Sequence, residues 1–444
     1  MDPRLSTGLV LAGLVLSALP AVAETALPAP ISDADYRTID PDRAALGQLL
    51  FYDPILSGNR NIACATCHHP RFGTADGVSL SFGEGGVGLG PERRMDPDNL
   101  PEQRIPRNAP GLFNLGAHEF TVMFHDGRLE VDPDRPGGMR TPLEADMVAG
   151  FDSVLSAQTM FPVLSADEMA GHYGENDVAK AVRLGQITGP GGAWDIIAGR
   201  VREIEEYVAH FATVEPEIAA GREIAFTDIS NVIADFMALE WRADDSPFDR
   251  HLRGTEELTG AARMGMDLFY GEARCAACHS GPFQTNHGFH ALAVPQFGPG
   301  KAARFEDHSR DDGRARVTGA EEDRFRFRTP SLRNVALTAP YGHTGAFRTL
   351  EDIVAHHGAP ADDYTLTRAV LPEPDVFAAR DGRALSDAAA MANLRGVRDS
   401  RVPALDTGEI EALVAFLNAL TDPGGAEGRL GIPDAVPSGL PIDR

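Results

Sequence analysis

The sequence predicts a mainly α-helical fold made of two units of similar plan. Apolar residues recur with helical spacing along much of the chain, whereas segments that alternate polar and apolar residues are scarce. One short pattern occurs twice: a helix that ends in Leu-Phe-Tyr, followed by a loop and a pair of cysteines. An internal repeat of this kind indicates two related domains, and 444 residues suffice for two hydrophobic cores.

The first residues have the layout of a secretory signal. Arg4 precedes a short apolar run, and Ala21-Val22-Ala23 places small residues before Glu24. The apolar run is too short to span a bilayer comfortably. We therefore expect a signal peptide over residues 1–23, cleavage after Ala23, and a periplasmic mature chain with no stable membrane insertion. The net charge of −25 argues against nucleic acid and anionic membranes as partners.

The helical patterns and the loops give the domain organisation. The repeated helices cover residues 46–52 and 264–270, and further helical patterns cover 194–211 and 228–239, the last with Asp228 as a plausible N-cap. A polar stretch with Pro247 follows them. We expect an N-terminal domain over residues 24–245, a C-terminal domain over 246–444, and long irregular loops over 83–110, 132–150 and 284–322.

All four cysteines belong to two copies of one motif, Cys64-Ala-Thr-Cys67-His68 and Cys275-Ala-Ala-Cys278-His279. C-x-x-C-H is the attachment signature of c-type haem, in which each thiol bonds one vinyl group and the histidine ligates the iron. Redox thiol pairs or a split zinc site would also use four cysteines, but neither requires a histidine after each pair. We predict two covalent haem c groups in two cytochrome c-like domains related by internal duplication.

Together these motifs resemble the bacterial di-haem cytochrome c peroxidase family, which includes MauG, an enzyme that oxidises a partner protein. The resemblance spans residues 44–420 and is strongest over residues 328–343, which end in Pro340-Tyr341-Gly-His343. It implies that peroxide reacts at the first haem, ligated by His68, and that electrons pass through the second, ligated by His279.

The resemblance also assigns a distal pocket to the first haem. Gln158 would position peroxide and Glu168 would move its proton, in a pattern that includes Pro162. The alternative is that Glu168 is simply a first-turn residue of a helix begun by Ser165, because Ser165-Ala-Asp-Glu168 fits a capping box.

A calcium site is implied in the same way. Asn108, Thr338 and Pro340 match the family's site, where one side-chain oxygen and two backbone carbonyls suit a hard cation. The alternative for Asn108 is an ordinary turn residue.

The sequence departs from the family at three positions. The loop over residues 100–107 lacks the distal histidine of resting peroxidases, so we expect a first haem that is open, as in MauG. His125 replaces the tryptophan between the haems, and it is either a conducting residue or a structural one. His357 falls at the second haem's axial position, where peroxidases have methionine and MauG has tyrosine, although adjacent His356 competes for it. Histidine there predicts a low-spin, bis-histidine haem.

The leading hypothesis is a periplasmic peroxidase that reduces hydrogen peroxide to water at the first haem. A small donor protein, a cytochrome c or a cupredoxin, would supply electrons through the second haem. The second hypothesis is a MauG-like oxidation of a partner protein's side chains. The third is a di-haem electron-transfer cytochrome without enzymatic activity, which would have no use for Gln158 and Glu168.

Overall fold

The computed structural model describes residues 26–302, 306–360 and 363–444, so the expected signal peptide lies outside the described residues. Within them the fold is mainly helical, as the sequence predicts. Among the described residues, none of the helices combines the length and the apolar character that a membrane crossing needs.

The helices are distributed along the whole described chain. Those of the first half are α1 (Pro41–Tyr52), α2 (Cys64–Cys67), α3 (Val154–Thr159), α4 (Asp177–Arg183), α5 (Ala193–Arg202), α6 (Glu205–Val214), α7 (Pro216–Ala219) and α8 (Phe226–Glu240). Those of the second half are α9 (Pro247–Leu252), α10 (Gly260–Tyr270), α11 (Ala315–Thr318), α12 (Leu350–Gly358), α13 (Ala378–Asp381), α14 (Arg383–Ser386), α15 (Ala388–Gly396), α16 (Thr407–Asn418) and α17 (Pro423–Glu427).

The strands are short, and some of them lie in the regions expected to be loops. They pair antiparallel as β1 (Gly86–Val87) with β2 (Arg94–Met95), β3 (Val122–Met123) with β4 (Leu129–Val131), β4 with β5 (Met139–Arg140), and β6 (Phe289–His290) with β7 (Phe327–Arg328). Strands of two or three residues fix loop positions without forming a sheet core.

In the first half, helix α1 packs closely against α8. The contact depends on Gly47, since a Cβ built there would lie 1.8 Å from the carbonyl oxygen of Val232. One turn later, Phe51 packs on Phe236 with ring centroids 5.2 Å apart. Trp241, at the end of α8, packs on Phe51 and closes this part of the core.

In the second half, helix α10 packs against α16 with the same residue spacing. A Cβ at Gly265 would lie 1.9 Å from the carbonyl oxygen of Ala412, and Phe269 packs on Phe416 at a centroid distance of 5.1 Å. In each pair a glycine is followed four residues later by a phenylalanine, and both contact the partner helix. This shared geometry favours the internal duplication, which stays a prediction.

The last residues of the chain pack on its first half, and the division at residue 245 stays a prediction. One core is built mainly from residues 31–243 and another from residues 248–420, but Val436 is buried in the first of them. Ser438 also donates a hydrogen bond of 2.7 Å to Asp53 of the first half. The segment 428–444, expected in the C-terminal domain, therefore packs on the N-terminal core. Its few apolar residues carry no local signal of which core they join.

Two sequence predictions about helices need correction. The pattern over residues 194–211 is split into α5 and α6, since the chain leaves the helix at Ile204, which is extended. Helix α8 begins at Phe226, so Asp228 is not its N-cap. Asp228 instead accepts a hydrogen bond from the backbone N–H of Ala225 and pairs with Arg222.

Candidate functional site

A single cavity lies between the two halves and contains both cysteine motifs. Its volume is about 860 Å³, and its walls include all four cysteines. Protein interiors hold few voids larger than a water molecule, so a cavity of this size is a binding site rather than a packing defect. The motif histidines His68 and His279 line it as well.

The first motif forms helix α2 and turns its histidine toward the cavity. The Nδ1–H of His68 donates to the carbonyl oxygen of Thr74 at 3.0 Å, which leaves Nε2 as the atom free to bind iron. Thr66, between the two cysteines, donates from its hydroxyl to Asp443 at 2.6 Å. The C-terminal segment thus fixes the helix that would hold the first haem.

The second motif has the same arrangement in a 3-10 turn. The Nδ1–H of His279 donates to the carbonyl oxygen of Gln284 at 3.1 Å, so its Nε2 is also free. In both motifs a backbone carbonyl five or six residues further along the chain orients the imidazole. This arrangement of a metal-binding histidine fixes the tautomer and the ring direction.

The cysteines do not have the properties of a redox pair or of a zinc site. All four are free thiols, and burial raises the pKa of Cys64 and of Cys275 to about 12. Reactive redox thiols have lowered pKa values. Among the described residues, no group of three or more His, Cys, Asp and Glu side chains is placed to hold a metal ion. The donor set therefore fits haem attachment better than either alternative.

His357 lies opposite the proximal histidine of the second motif. The centroids of the His279 and His357 rings are 6.4 Å apart. Two imidazoles on opposite sides of one metal ion, each nitrogen about 2 Å from it, have centroids about 6 Å apart. The Nδ1–H of His357 donates to the Ile353 carbonyl at 2.7 Å, which leaves Nε2 for a metal.

His356 has a different environment from its neighbour. Its Nε2–H donates to the carbonyl oxygen of Leu292 at 2.9 Å, and its ring packs on Phe347. His356 is buried but does not line the cavity, whereas His357 does. The geometry therefore favours His357 as the second axial ligand, as predicted from the spacing.

The three residues of the predicted distal pocket come together in the cavity wall. Gln158 is on α3, and Pro162 and Glu168 follow it. The Oε1 of Gln158 is buried and has no hydrogen-bond partner among the described residues. Burial raises the pKa of Glu168, and the positive charge of Lys301 offsets part of this rise.

The backbone around Glu168 is a single π-helical turn, Ala166–Ala170. The N–H groups of Glu168, Met169 and Ala170 all donate to the carbonyl of Ser165, at 2.9–3.2 Å. Ser165 is the N-cap of this turn and Glu168 lies in its first turn, as the alternative interpretation expects, but the Ser165 side chain makes no capping hydrogen bond. The catalytic role of Glu168 stays a prediction. Such π-turns are frequent at functional sites.

The loop over residues 100–107 brings no imidazole to the first motif. Ile105 and Pro106 line the cavity, while Gln103 points elsewhere and donates to Asp167 at 2.6 Å. The described structure thus agrees with a first haem that no histidine of this loop covers.

His125 lies in the cavity wall with its hydrogen bonding satisfied. Its Nε2–H donates to the carbonyl oxygen of Asn108 at 3.1 Å. Burial and the nearby Arg107 lower the pKa of His125 to about 4, so the ring is neutral at pH 7. A neutral, hydrogen-bonded ring is what we expect if His125 has a structural role. Conduction of charge between the haems through His125 stays a prediction.

The three residues of the predicted calcium site share one part of the cavity wall. Asn108, Thr338 and Pro340 all line it. The Nδ2 of Asn108 donates to the carbonyl oxygen of Val78 at 2.8 Å, so its Oδ1 is the atom left to act as a ligand. The arrangement is compatible with a cation, whose presence stays a prediction.

Comparisons with known proteins agree with this site. A family model described as di-haem cytochrome c peroxidase matches residues 41–257. The cytochrome c peroxidase Ccp of Escherichia coli strain K12 is 32% identical over 71% of this chain and 52% of its own length. The methylamine utilization protein MauG of Paracoccus denitrificans strain Pd 1222 is 29% identical over 89% of this chain and 92% of its own length. The chain is therefore similar to the di-haem cytochrome c peroxidase family, whose model matches just under half of it.

This similarity has two consequences. The family's cytochrome c peroxidases are peroxide-acting oxidoreductases, the enzyme class that the sequence predicts, and the family implies haem c as cofactor.

The chain spans about half the length of the E. coli relative, 52%. The crystal structure of a MauG-like protein associated with microbial copper homeostasis is similar with a TM-score of 0.58, covering 93% of this chain and 97% of that chain. At 23% identity, this likeness shows the fold alone.

Many residues that line the cavity were not predicted as site residues from the sequence, and three with titratable side chains serve as examples. Asp76, Lys301 and His343 line the cavity. His343 is 4% exposed, has no partner for either ring nitrogen among the described residues, and stacks on Phe327 at 3.6 Å. His343 lies in the segment with the strongest family resemblance. In the sequence, the residue type of Lys301 could have drawn attention to it. The chain has two lysines, Lys180 and Lys301, and its other 38 basic residues are arginines.

Proposed function

We propose that this chain is a periplasmic peroxidase that reduces hydrogen peroxide to water at the haem of its N-terminal half. The observation that carries the proposal is the Gln158 side chain, whose Oε1 is buried without a partner in the wall that also contains Glu168 and His68. A buried polar atom without a hydrogen bond costs about 1–3 kcal/mol. A bound peroxide could donate that hydrogen bond and remove the cost.

Peroxide reduction consumes protons and electrons in equal number: H2O2 + 2 H⁺ + 2 e⁻ → 2 H2O. When bound, the haem groups supply the iron site and the electron path. Gln158 would hold peroxide by accepting its O–H at Oε1. The Glu168 carboxylate would accept a proton from the inner peroxide oxygen and return it to the outer oxygen, which leaves as water. Because burial raises the pKa of Glu168, its carboxylate is a stronger base than an exposed one.

We assign electron delivery to the C-terminal half. His279 and His357 would bind the second iron from both sides and leave no position for peroxide. The loop over residues 100–107 brings no imidazole to His68, so it would leave the first iron open to peroxide. This difference between the sites supports a division of work, with a cytochrome c or a cupredoxin as electron donor.

Oxidation of a partner protein is the second candidate. The similarity to MauG over 92% of that protein's length favours it, as does the absence of a histidine in the loop over residues 100–107. His125 argues against it, because imidazole is much harder to oxidise than the indole expected between the haems. Turnover with reduced cytochrome c, rather than oxidation of a protein, would favour the peroxidase.

A calcium ion bound by Asn108, Thr338 and Pro340 belongs to the proposal as a structural component.

The third hypothesis is an electron carrier without catalysis. It gives no role to the Oε1 of Gln158, which is buried and has no hydrogen-bond partner among the described residues. The electron paramagnetic resonance spectrum of the oxidised protein separates carrier from enzyme. We expect one high-spin and one low-spin haem, and two low-spin haems would contradict an open peroxide site.

The decisive test is Glu168→Gln, which keeps the shape of the side chain and removes its base. We expect the rate of peroxide cleavage to fall about 100-fold or more, since general acid–base groups contribute on that scale. Glu257→Gln is the matched control, because Glu257 is exposed and does not line the cavity. Rapid-mixing absorption spectroscopy measures both rates. An unchanged rate in Glu168→Gln would remove Glu168 from the mechanism.

A further inference from the structure

The π-helical turn Ala166–Ala170, which carries Glu168, is bound by three other segments of the first half. Three of its carbonyl oxygens accept hydrogen bonds from these segments: Met169 from the N–H of Gly58 at 2.7 Å, Asp167 from the N–H of Glu84 at 3.0 Å, and Ala170 from the Nδ2 of Asn176 at 3.0 Å. A single helical turn is not stable alone. The position of Glu168 therefore depends on these contacts from outside the turn.

Gly58 belongs to the loop that leads into the first haem motif, which begins at Cys64. A Cβ built at Gly58 would lie 1.8 Å from the carbonyl oxygen of Ala170, so the loop backbone lies directly against the turn. The buried guanidinium of Arg200 donates to the carbonyl oxygens of Ser57 and Gly58, at 2.7 and 3.2 Å. One fixed loop thus contacts the turn and continues into the haem attachment site.

Gly83, which precedes Glu84, makes a second close contact with the turn. A Cβ there would lie 2.3 Å from the carbonyl oxygen of Asp167 and 2.8 Å from the Cα of Glu168 itself. The buried guanidinium of Arg93 donates to the Gly83 carbonyl at 2.7 Å and fixes this segment. Carbon–oxygen contacts in proteins are about 3.3 Å or longer. Any side chain at residue 83 would therefore displace Asp167 and Glu168.

We propose that Gly58 and Gly83 are positioning residues of the peroxide pocket, because their lack of a side chain lets two fixed segments of backbone hold the Glu168 turn in place. The inference rests on the proposed function, in which Glu168 takes a proton from one peroxide oxygen and returns it to the other. Both oxygens must come within hydrogen-bond reach of the carboxylate, about 2.6–3.2 Å. A turn that moved freely would meet this condition only part of the time.

Asn176 provides the third contact and can be changed without introducing a clash. Its Nδ2 donates to Ala170 and to the Oδ1 of Asn59, at 3.0 and 2.8 Å. Its Oδ1 caps α4 by accepting the N–H of Ala179 at 2.7 Å. Serine is an equally good N-cap, but it has no amide to reach the turn. Asn176→Ser therefore keeps the helix start and releases the Ala170 carbonyl.

The test is Gly83→Ala in the haem-loaded protein. The new Cβ and the Asp167 carbonyl must separate by about 1 Å, and a misplacement on that scale can cost about 100-fold in rate. We expect the rate of peroxide cleavage, followed by rapid-mixing absorption spectroscopy, to fall by at least about 10-fold.

Gly192→Ala is the matched control. A Cβ at Gly192 would lie 2.6 Å from the carbonyl oxygen of Ile187, so the substitution strains the backbone of the same half. Neither Gly192 nor Ile187 lines the cavity. The control should therefore keep the wild-type rate of peroxide cleavage.

A double-mutant cycle separates positioning from general damage to the fold. If Gly83 acts only by placing the carboxylate, Gly83→Ala should change the rate less than about twofold once Glu168→Gln has removed that carboxylate. General damage would instead lower the rate by the same factor in both backgrounds.

A second measurement does not depend on catalysis. The N–H groups that share the Ser165 carbonyl are protected while the turn is held, and deuterium uptake of a peptide spanning residues 164–171 reports their exchange. Uptake should be about 10-fold faster in Gly83→Ala than in the wild type. Gly192→Ala should exchange like the wild type in this peptide.

If Gly83→Ala does not retain haem, Asn176→Ser takes its place in the same cycle, with the same direction of change. A wild-type rate in the haem-loaded variant, or an equal loss in both backgrounds, overturns the positioning role and leaves the proposed function intact. An unchanged rate in Glu168→Gln alone overturns the assignment of Glu168 instead.

Discussion

His356 and His357 are adjacent on α12 but differ in the atoms their side chains can offer. The Nε2 of His356 is used by the Leu292 carbonyl, whereas His357 bonds through Nδ1 to Ile353 and keeps Nε2 free. Sequence spacing predicts the position of an axial ligand to within one residue. The choice between neighbours depends on how α12 is rotated against the rest of the second half, which no local pattern encodes.

Replacing His357 with alanine should convert the second haem from low-spin to high-spin, because the iron loses one of its two imidazoles. Electron paramagnetic resonance of the oxidised protein measures the change, and added imidazole should restore the low-spin signal. His356→Ala is the control and should keep that signal. Loss of the low-spin signal in His356→Ala, with its retention in His357→Ala, would reverse the assignment.

The two close helix pairs depend on the absence of a side chain at one position each. Replacing Gly265 of α10 with alanine would place a Cβ 1.9 Å from the Ala412 carbonyl oxygen, so the helices must separate. We expect the free energy of unfolding to fall by about 2–3 kcal/mol, as for other overpacked interiors. Urea denaturation followed by circular dichroism measures it.

Gly396 provides the matched control for this prediction. It ends α15, and a Cβ there would meet no atom within 4 Å. Gly396→Ala should therefore leave the unfolding free energy unchanged or raise it slightly, since alanine restricts the unfolded chain. If both substitutions changed the free energy of unfolding equally, the close approach of the helices at Gly265 would not explain the effect of Gly265→Ala.

Local signals in the sequence predict some elements well and others poorly. The haem motifs need only a few consecutive residues, and the helix before each is marked by its apolar spacing. The start of α8 was misplaced because Asp228 looks like an N-cap, although it caps from inside the helix through Ala225. Residues 428–444 and the loop that carries Lys301 are placed by contacts with distant parts of the chain, which a local pattern does not contain.

At the scale of the whole molecule, the cavity is assembled from both halves. The C-terminal segment bonds Thr66 in the first haem motif through Asp443. Lys301, from the second half, lines the same cavity as Glu168 from the first. In the other direction, the backbone N–H of Arg328 in the second half donates to the carbonyl of His125 in the first, at 2.7 Å. The halves must therefore be docked before the peroxide pocket is complete.

The buried pair Arg107–Asp311 is a charged contact across that junction. The guanidinium binds both carboxylate oxygens, at 2.6 and 2.8 Å, and the two residues are 7% and 2% exposed. Asp311→Asn should lower the free energy of unfolding by about 3 kcal/mol at pH 7, because the buried Arg107 loses one of its two carboxylate partners and keeps Asp126. Asp363→Asn is the control, since Asp363 pairs with Arg368 on the surface, where ion pairs contribute little.

The pH dependence of stability gives this prediction a second, independent measurement. Burial disfavours the charge of Asp311, but Arg107 outweighs it and holds the pKa of that carboxyl well below its ordinary value. The stability that the ionised group contributes is therefore present above about pH 4 and is lost as the pH falls further. Asp311→Asn should abolish this acid-dependent part, so wild type and variant should approach each other in urea midpoint between about pH 4 and pH 2. A constant difference across that range would mean that the pair does not couple the two halves through its charge.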